Sequence, residues 1–268
     1  EAVLTTSHLR AFFFGNYDEA DVRAAYIQLE EYVTPSRSTG YARAGIYNPE
    51  PGATLMLNRE VPVEDLGMLY GFAAPEASIK NQALARILSR HLRVRAFETL
   101  RTEEQLGYAA GGGSLDLYQH PMVILYIQTP VKGPQDMLDR FNAYTQEYRE
   151  ELAALTEESF AKFKAGVVTA LSEPPKNLSA EAGPFASDWS IENYDFDTRD
   201  KLIEAVESAT LADVQAFYDA TVFSEARSRI VIQLKGQRYA DQAFGSLDGG
   251  VVVEDVDQFH KDMPKQAL

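Results

Sequence analysis

Apolar residues recur along this chain with two periods, and the switches between them mark its elements. From Ile79 to Leu100, Leu84, Ile87, Leu88 and Leu92 stand three or four residues apart, which predicts a helix over 79–100. Val22, Ala25, Tyr26, Leu29 and Tyr32 predict an acidic amphipathic helix over 18–33, after a turn at Gly15-Asn16. Met137, Phe141, Tyr144, Tyr148 and Leu152 do the same for 135–155. Thr156 can cap a further helix with Glu157 and Glu158 in its first turn and Phe160, Phe163, Val167 and Leu171 facing inward, ended by Pro174-Pro175. Asp197 and Thr210 serve as N-caps for two more, the second burying Leu211, Val214, Phe217 and Tyr218. A weak helix closes the chain.

Strand-like runs lie mostly in the first half: 9–14, 53–61, 66–73, 108–118 and 122–128, with 229–234 and the Val251-Val252-Val253 run later. The run 66–73 is almost wholly apolar, which suits a central strand. Tyr118-Gln119-His120-Pro121 joins two of the others. Strands first and helices after, without regular alternation, define an α+β fold: a mainly antiparallel sheet with helices packed on one face. Pro, Ser, Gly and Asn crowd Thr34–Gly52, so 36–52 reads as a linker.

Composition narrows the function. The 268 residues suit one large domain or one domain plus part of another, and 45% are apolar. The chain opens at Glu1 with no Met and no leader pattern, so we expect a processed product or a piece of something longer. No apolar run is long enough to span a bilayer, which argues against membrane insertion. A net charge of −15 argues against nucleic acid, whose backbone demands clustered cations, and against anionic membranes. The absence of cysteine excludes disulfides, thiolate catalysis and Cys-ligated zinc.

Candidate chemistry is thin over most of the chain. His8, His91, His120 and His260 are the histidines, and none has a second one four residues away. His91 sits at the edge of an apolar stripe, where a satisfied core or rim histidine is the simpler reading. We therefore expect no metal ligands here. Gly112-Gly113-Ser114 begins like a nucleophile elbow, but Asp116 stands where the last glycine belongs. No Lys-Ser/Thr follows Gly111-Gly112-Gly113, so it is not a phosphate loop; it reads as a bend, a bulge or a close backbone approach. Thr102-x-x-Gln105 matches a capping box by chance, Glu103-Glu104 reads as a solvated face, and Asn177-Leu178-Ser179 is a sequon by pattern only.

One stretch stands out: Phe97-Glu98-Thr99-Leu100-Arg101-Thr102-Glu103-Glu104-Gln105-Leu106-Gly107-Tyr108. A helix runs in and a strand runs out, with Gly107 suited to end the helix. Such a turn can aim the guanidinium of Arg101 and the phenol of Tyr108 at one point. The plain alternative is that Arg101 complements the helix dipole and Tyr108 is half-buried packing.

Leu-Arg-Thr-Glu-Glu-Gln-Leu-Gly-Tyr resembles the signature near the C-terminus of pitrilysin- and insulin-degrading-enzyme-like peptidases, the insulinase family of inverted-motif zinc metallopeptidases. Asp188–Tyr218, with Asn193-Tyr194-Asp195-Phe196-Asp197 and Arg199-Asp200-Lys201, and Leu178-Ser179-Ala180-Glu181 are also similar, and the resemblance runs from about Phe12 to Met263. It implies a half-chamber domain of the mitochondrial-processing-peptidase/LuxS-like fold. Residues 1–35 would be a strand and helix left from a preceding domain, and 53–268 a C-terminal, zinc-less domain. The resemblance further implies that Arg101 and Tyr108 complete a catalytic site from across the chamber. They would bind the substrate backbone and the oxyanion, with Phe97 walling the pocket after the scissile bond. Zinc and its His-x-x-Glu-His ligands would lie in an N-terminal half absent from this chain, so that half and peptide substrates are the implied partners. The fragment itself would not be an enzyme. The C-terminal half of this chamber is comparatively basic in the insulin-degrading enzyme, and this acidic chain departs from that. Two other readings stay open: a non-catalytic scaffold or binding subunit partnering a zinc-bearing chain, and a maturation protease for one peptide. Cysteine usage suits cytoplasm or periplasm, and for a bacterial chain we place the periplasm ahead.

Overall fold

The computed structural model describes residues 9–32 and 50–263. They form two compact units, one of residues 9–32 with 174–199 and the other of 50–173 with 200–263. His8 and most of the expected linker, 36–49, lie outside the described residues.

In the first unit, helix α1 (Glu19–Tyr32) follows Asp18, whose carboxylate accepts from the backbone N–H of Asp21 at 2.9 Å. Val22, Ala25 and Tyr26 are half-buried, whereas Leu29 is exposed. The expected strand at 9–14 does not form. A strand must pair its backbone groups, and the described residues of this unit contain no strand to pair with. Phe12 and Phe14 instead pack on Trp189 and Phe185, with ring centroids 6.0 and 5.3 Å apart. Those two rings belong to a helix that periodicity did not reveal, spanning Leu178–Ser190. Gly183-Pro184 reads locally as a breaker, yet the helix passes through it. Asn177, the residue of the sequon pattern, caps this helix by accepting from the Ala180 N–H at 2.8 Å.

The second unit is built on a six-stranded sheet. Its strands are β1 (Thr54–Glu60), β2 (Leu66–Ala73), β3 (Ala109–Leu117), β4 (His120–Thr129), β5 (Ser228–Lys235) and β6 (Gly250–Val252), in the order β3-β4-β2-β5-β1-β6. Pairing is antiparallel from β3 to β5 and parallel across β5, β1 and β6. The apolar run of β2 is interior, as its composition implied. Tyr118 and Gln119 close the β3–β4 hairpin, both left-handed with φ of 49° and 71°, as a tight two-residue turn requires.

The helices are α2 (Ile79–Ala96), α3 (Pro134–Ala153), α4 (Glu157–Ser172), α6 (Thr198–Ser208, in this unit from residue 200), α7 (Leu211–Tyr218) and α8 (Val256–Asp262), with α5 the Leu178–Ser190 helix already described. Thr156 and Thr210 cap α4 and α7 as expected, the latter in a complete capping box with Asp213. Met68, Tyr70 and Phe72 of β2 join Val123, Leu125 and Ile127 of β4 in one core with Leu84, Ile87, Leu88 and Leu92 of α2. Burying each such side chain contributes about 1.5–3 kcal/mol.

The glycine run of β3 explains where α2 sits. A Cβ at Gly112 would lie 2.9 Å from Leu92 Cγ, so only glycine lets the helix approach so closely. Ser89 on the same helix accepts from the Ser114 N–H at 3.0 Å. The expected close approach is made by side chains of α2 and β4 rather than by another backbone. The β3–β4 ladder is continuous, with no bulge.

Candidate functional site

Helix α2 does not stop at Leu100. It widens into a π turn, Phe97–Glu103, closed by the Glu104 N–H donating to Thr99 O and the Leu106 N–H to Leu100 O, each at 3.0 Å. Gln105, with φ of 53°, takes the left-handed position that ends the turn. Gly107 serves a different purpose, because a Cβ there would lie 2.0 Å from the carbonyl oxygen of Gln128 on β4. The glycine lets the chain pass tightly against β4 before entering β3.

The turn is fastened from both sides. Arg140 of α3 donates from Nε to both Glu104 oxygens, at 2.8 and 3.1 Å, and from Nη2 to Glu147 at 2.8 Å. These charge-assisted bonds at a largely buried arginine hold the π turn to α3. Glu103 is exposed as expected, but Glu104 is a structural anchor rather than part of a solvated face. The hydroxyl of Thr129 on β4 donates to the carbonyl of the buried Leu106.

On this base three side chains meet. Arg101 Nε donates to the carbonyl oxygen of Tyr108 at 3.0 Å. Its guanidinium carbon lies 4.6 Å from the Phe97 ring centroid and 5.4 Å from that of Tyr108, a cation between two rings. Tyr108 is 86% exposed and Phe97 44%, so Tyr108 is not the half-buried packing residue of the plain reading. Arg101 does lie in a last helical turn, where a cation is favourable. Among the described residues no carboxylate pairs with it, and the Tyr108 hydroxyl has no partner. Chemically, the trio offers the unused nitrogens of a planar guanidinium and a phenol donor beside an aromatic wall. Such a surface can bind a carbonyl oxygen, and a developing oxyanion more strongly.

His91 is buried, as the stripe suggested, and shares a 2.9 Å hydrogen bond between Nδ1 and the Tyr148 hydroxyl. Burial first, and then the Arg95 charge, hold its pKa down at about 4. His120 Nε2 lies 2.7 Å from the Ala74 carbonyl oxygen. Among the described residues no cluster of His, Cys, Asp or Glu could hold a metal ion, so they do not fit zinc. No helix among them is long and apolar enough to cross a membrane.

Of the supporting residues, Gln105, Thr129 and Arg140 carry no sequence signal, because each acts through a partner distant in the chain or through a backbone angle. The π turn itself is equally silent in the spacing of apolar residues.

The sheet backed by helices, with Arg101 and Tyr108 displayed where helix turns into strand, can be set beside known proteins. The model of the family described as "PQQ synthase PqqF-like, C-terminal lobe domain 4" matches residues 87–186, which include the π turn and the β3–β4 hairpin. The chain is 25% identical over 184 residues to Protease 3 of Escherichia coli (strain K12), covering 69% of this chain and 19% of that protein. It is 28% identical over 155 residues to the A-factor-processing enzyme of Saccharomyces cerevisiae, covering 58% and 15%. It thus spans about a fifth or less of the length of these relatives. The crystal structure of pitrilysin has the same fold, with a TM-score of 0.86 and 21% identity over 94% of this chain and 27% of that one. In sequence and in fold the chain is thus similar to the C-terminal domains of insulinase-like M16 peptidases.

Proposed function

We propose that this chain is the zinc-free C-terminal wall of a peptidase chamber, and that Phe97, Arg101 and Tyr108 hold peptide substrate there. The observation that carries this is Tyr108, a large aromatic residue left 86% exposed beside a cation that has no counter-ion among the described residues. As packing it contributes little. As a donor it is placed well: the guanidinium, oriented by the Tyr108 carbonyl, takes a substrate carbonyl, while the phenol donates to the oxyanion that develops at the scissile carbon. Phe97 walls the neighbouring side-chain pocket. Coverage of 19% of Protease 3 and 27% of pitrilysin supports an upstream half that brings zinc, its ligands and the general base. Peptide-bond hydrolysis then belongs to the assembled protein and not to this fragment. The test is to reassemble the enzyme with that half and substitute Tyr108→Phe. We expect kcat and kcat/KM to fall together, with zinc content and melting temperature kept. A near-wild-type kcat overturns the proposal.

A further inference from the structure

We infer that Arg93, with Arg90 one turn behind it, makes this site select peptides carrying a carboxylate about two residues from the side chain that Phe97 holds. The inference rests on the proposed substrate role of Phe97, Arg101 and Tyr108 and adds a preference to it.

The first support is charge. In a chain of net charge −15, helix α2 carries Lys80, Arg86, Arg90, Arg93 and Arg95 and no acidic residue. Lys80 is neutralised by Asp213 at 2.9 Å, Arg86 by Asp116 at 3.6 Å, and Arg95 by Glu98 and Glu151. Arg90 and Arg93 have no carboxylate partner among the described residues, and both are exposed. Arg90 lies against α4, where a Cβ at Gly166 would stand 2.4 Å from its Nε.

The second support is placement. Arg93 stands four residues before Phe97 and Arg101 four after it, so all three project from one side of the continuous helix, with Arg90 on the same side. At 1.5 Å per residue, Arg93 lies about 6 Å along the axis from Phe97, the span of about two residues of extended peptide. Two plainer roles fail. Arg93 does not complement the helix dipole, because the helical turns continue to Glu103, well beyond the last-turn range of that effect. Nor is it packing, since it is exposed. Three cations along one face without counter-ions repel one another, and a bound carboxylate relieves that repulsion.

The carboxylate can come from an Asp or Glu side chain or from a peptide C-terminus, and the test separates the two. Labelled peptides with one central phenylalanine carry Glu or Gln two residues before or after it. A further pair ends two residues after it, as free acid or as amide. Binding to the purified chain is read by fluorescence anisotropy at low and at about 0.5 M salt. We expect the Glu peptide, in one of the two directions, to bind about three- to fivefold more tightly than its Gln counterpart at low salt, with the ratio shrinking at high salt. Preference for the free acid over the amide with no Glu/Gln difference assigns the site to a peptide C-terminus instead. Arg93→Gln should bring the ratio to about one with the melting temperature unchanged, and Arg93→Lys should keep most of it. A wild-type ratio of one in both pairs, or a preference that survives Arg93→Gln, overturns the inference and leaves the proposed function standing. Failure of every peptide to bind overturns the substrate-holding role together with it.

Discussion

Two helices of the larger unit, α2 and α7, run on into π turns, and the two turns end differently. The turn after α7, Asp219–Phe223, buries Thr221 and Val222. Its local cation, Arg149, lies 4.5 Å over the Phe223 ring and forks onto Asp219 at 2.8 and 3.0 Å. The turn after α2 buries only Leu100 and displays Phe97 and Arg101, whose guanidinium also lies over an aromatic ring but meets only a backbone carbonyl. The same motif, cation on ring at a widened helix end, is closed by a carboxylate in one place and left open in the other. A neutralised arginine is a latch. One that meets only a backbone carbonyl keeps donors for a ligand, which is the role proposed for Arg101. The widened turn is common to both; what separates them is that, among the described residues, only Arg149 has a carboxylate partner.

The largest expected difference between the turns is in catalysis. In the reassembled enzyme, Tyr108→Phe should cost about 10²–10³ in kcat, the usual effect of losing one oxyanion donor. Arg101→Ala should cost as much and also raise KM, with Lys a poor replacement because it lacks the planar fork. Arg149→Ala should leave kcat unchanged. If Arg149→Ala lowered kcat as far as Arg101→Ala, the distinction between latch and binding group would collapse.

The next effect concerns the buried rings between the two helices. His91 of α2 bonds to Tyr148, whose ring meets Tyr218 of α7 edge-on with centroids 5.2 Å apart. With a folded pKa of about 4 against an ordinary 6.5, His91 binds fewer protons in the native than in the unfolded chain between those values. Its stabilising contribution is therefore present above pH 6.5 and is lost as pH falls toward 4, by up to about 3 kcal/mol. Denaturant titrations at pH 4.5 and 7 should show this slope, and His91→Gln should flatten it. An unchanged slope would mean that other groups set the acid sensitivity.

Gly107→Ala should destabilise the open turn by about 1–3 kcal/mol, since its methyl group meets the Gln128 carbonyl and the backbone must shift. Gln105→Gly should instead be neutral or stabilise by up to about 1 kcal/mol, by relieving the left-handed conformation. Were the two effects reversed in denaturant midpoint, Gly107 would be the helix terminator after all. The smallest effect is that of Arg149→Ala on stability, a drop of less than about 3 °C in melting temperature, because the pair is half exposed.

Much of the fold was legible where the signal is periodic or local. The stripe of α2, the apolar run of β2 and the caps Thr156 and Thr210 depend on residues within a few positions of one another. At 9–14 the apolar, aromatic run suited a strand, but a strand exists only with a partner, and Phe12 and Phe14 found aromatic rings instead. Helix α5 was hidden because Gly183-Pro184 argues locally against a helix that contacts within its own unit sustain. The site residues Phe97, Arg101 and Tyr108 were named by a resemblance, and their meeting was suggested by a six-residue spacing. That Tyr108 stands out in solvent rather than packing was not in the spacing.

By itself the amino-acid sequence determined which residues face the core, where several helices begin, and that Arg101 and Tyr108 lie close enough to cooperate. Each of these follows from side-chain period, capping chemistry or short chain separation. Only the tertiary structure decided that α2 widens at Phe97, that Gln105 and not Gly107 turns the chain, and that Glu104 is spent on Arg140. It also decided that Arg101 meets no carboxylate among the described residues. The physical reason is that β4 and α3, brought in from more than twenty residues away, supply the atoms that meet Gly107, Leu106 and Glu104.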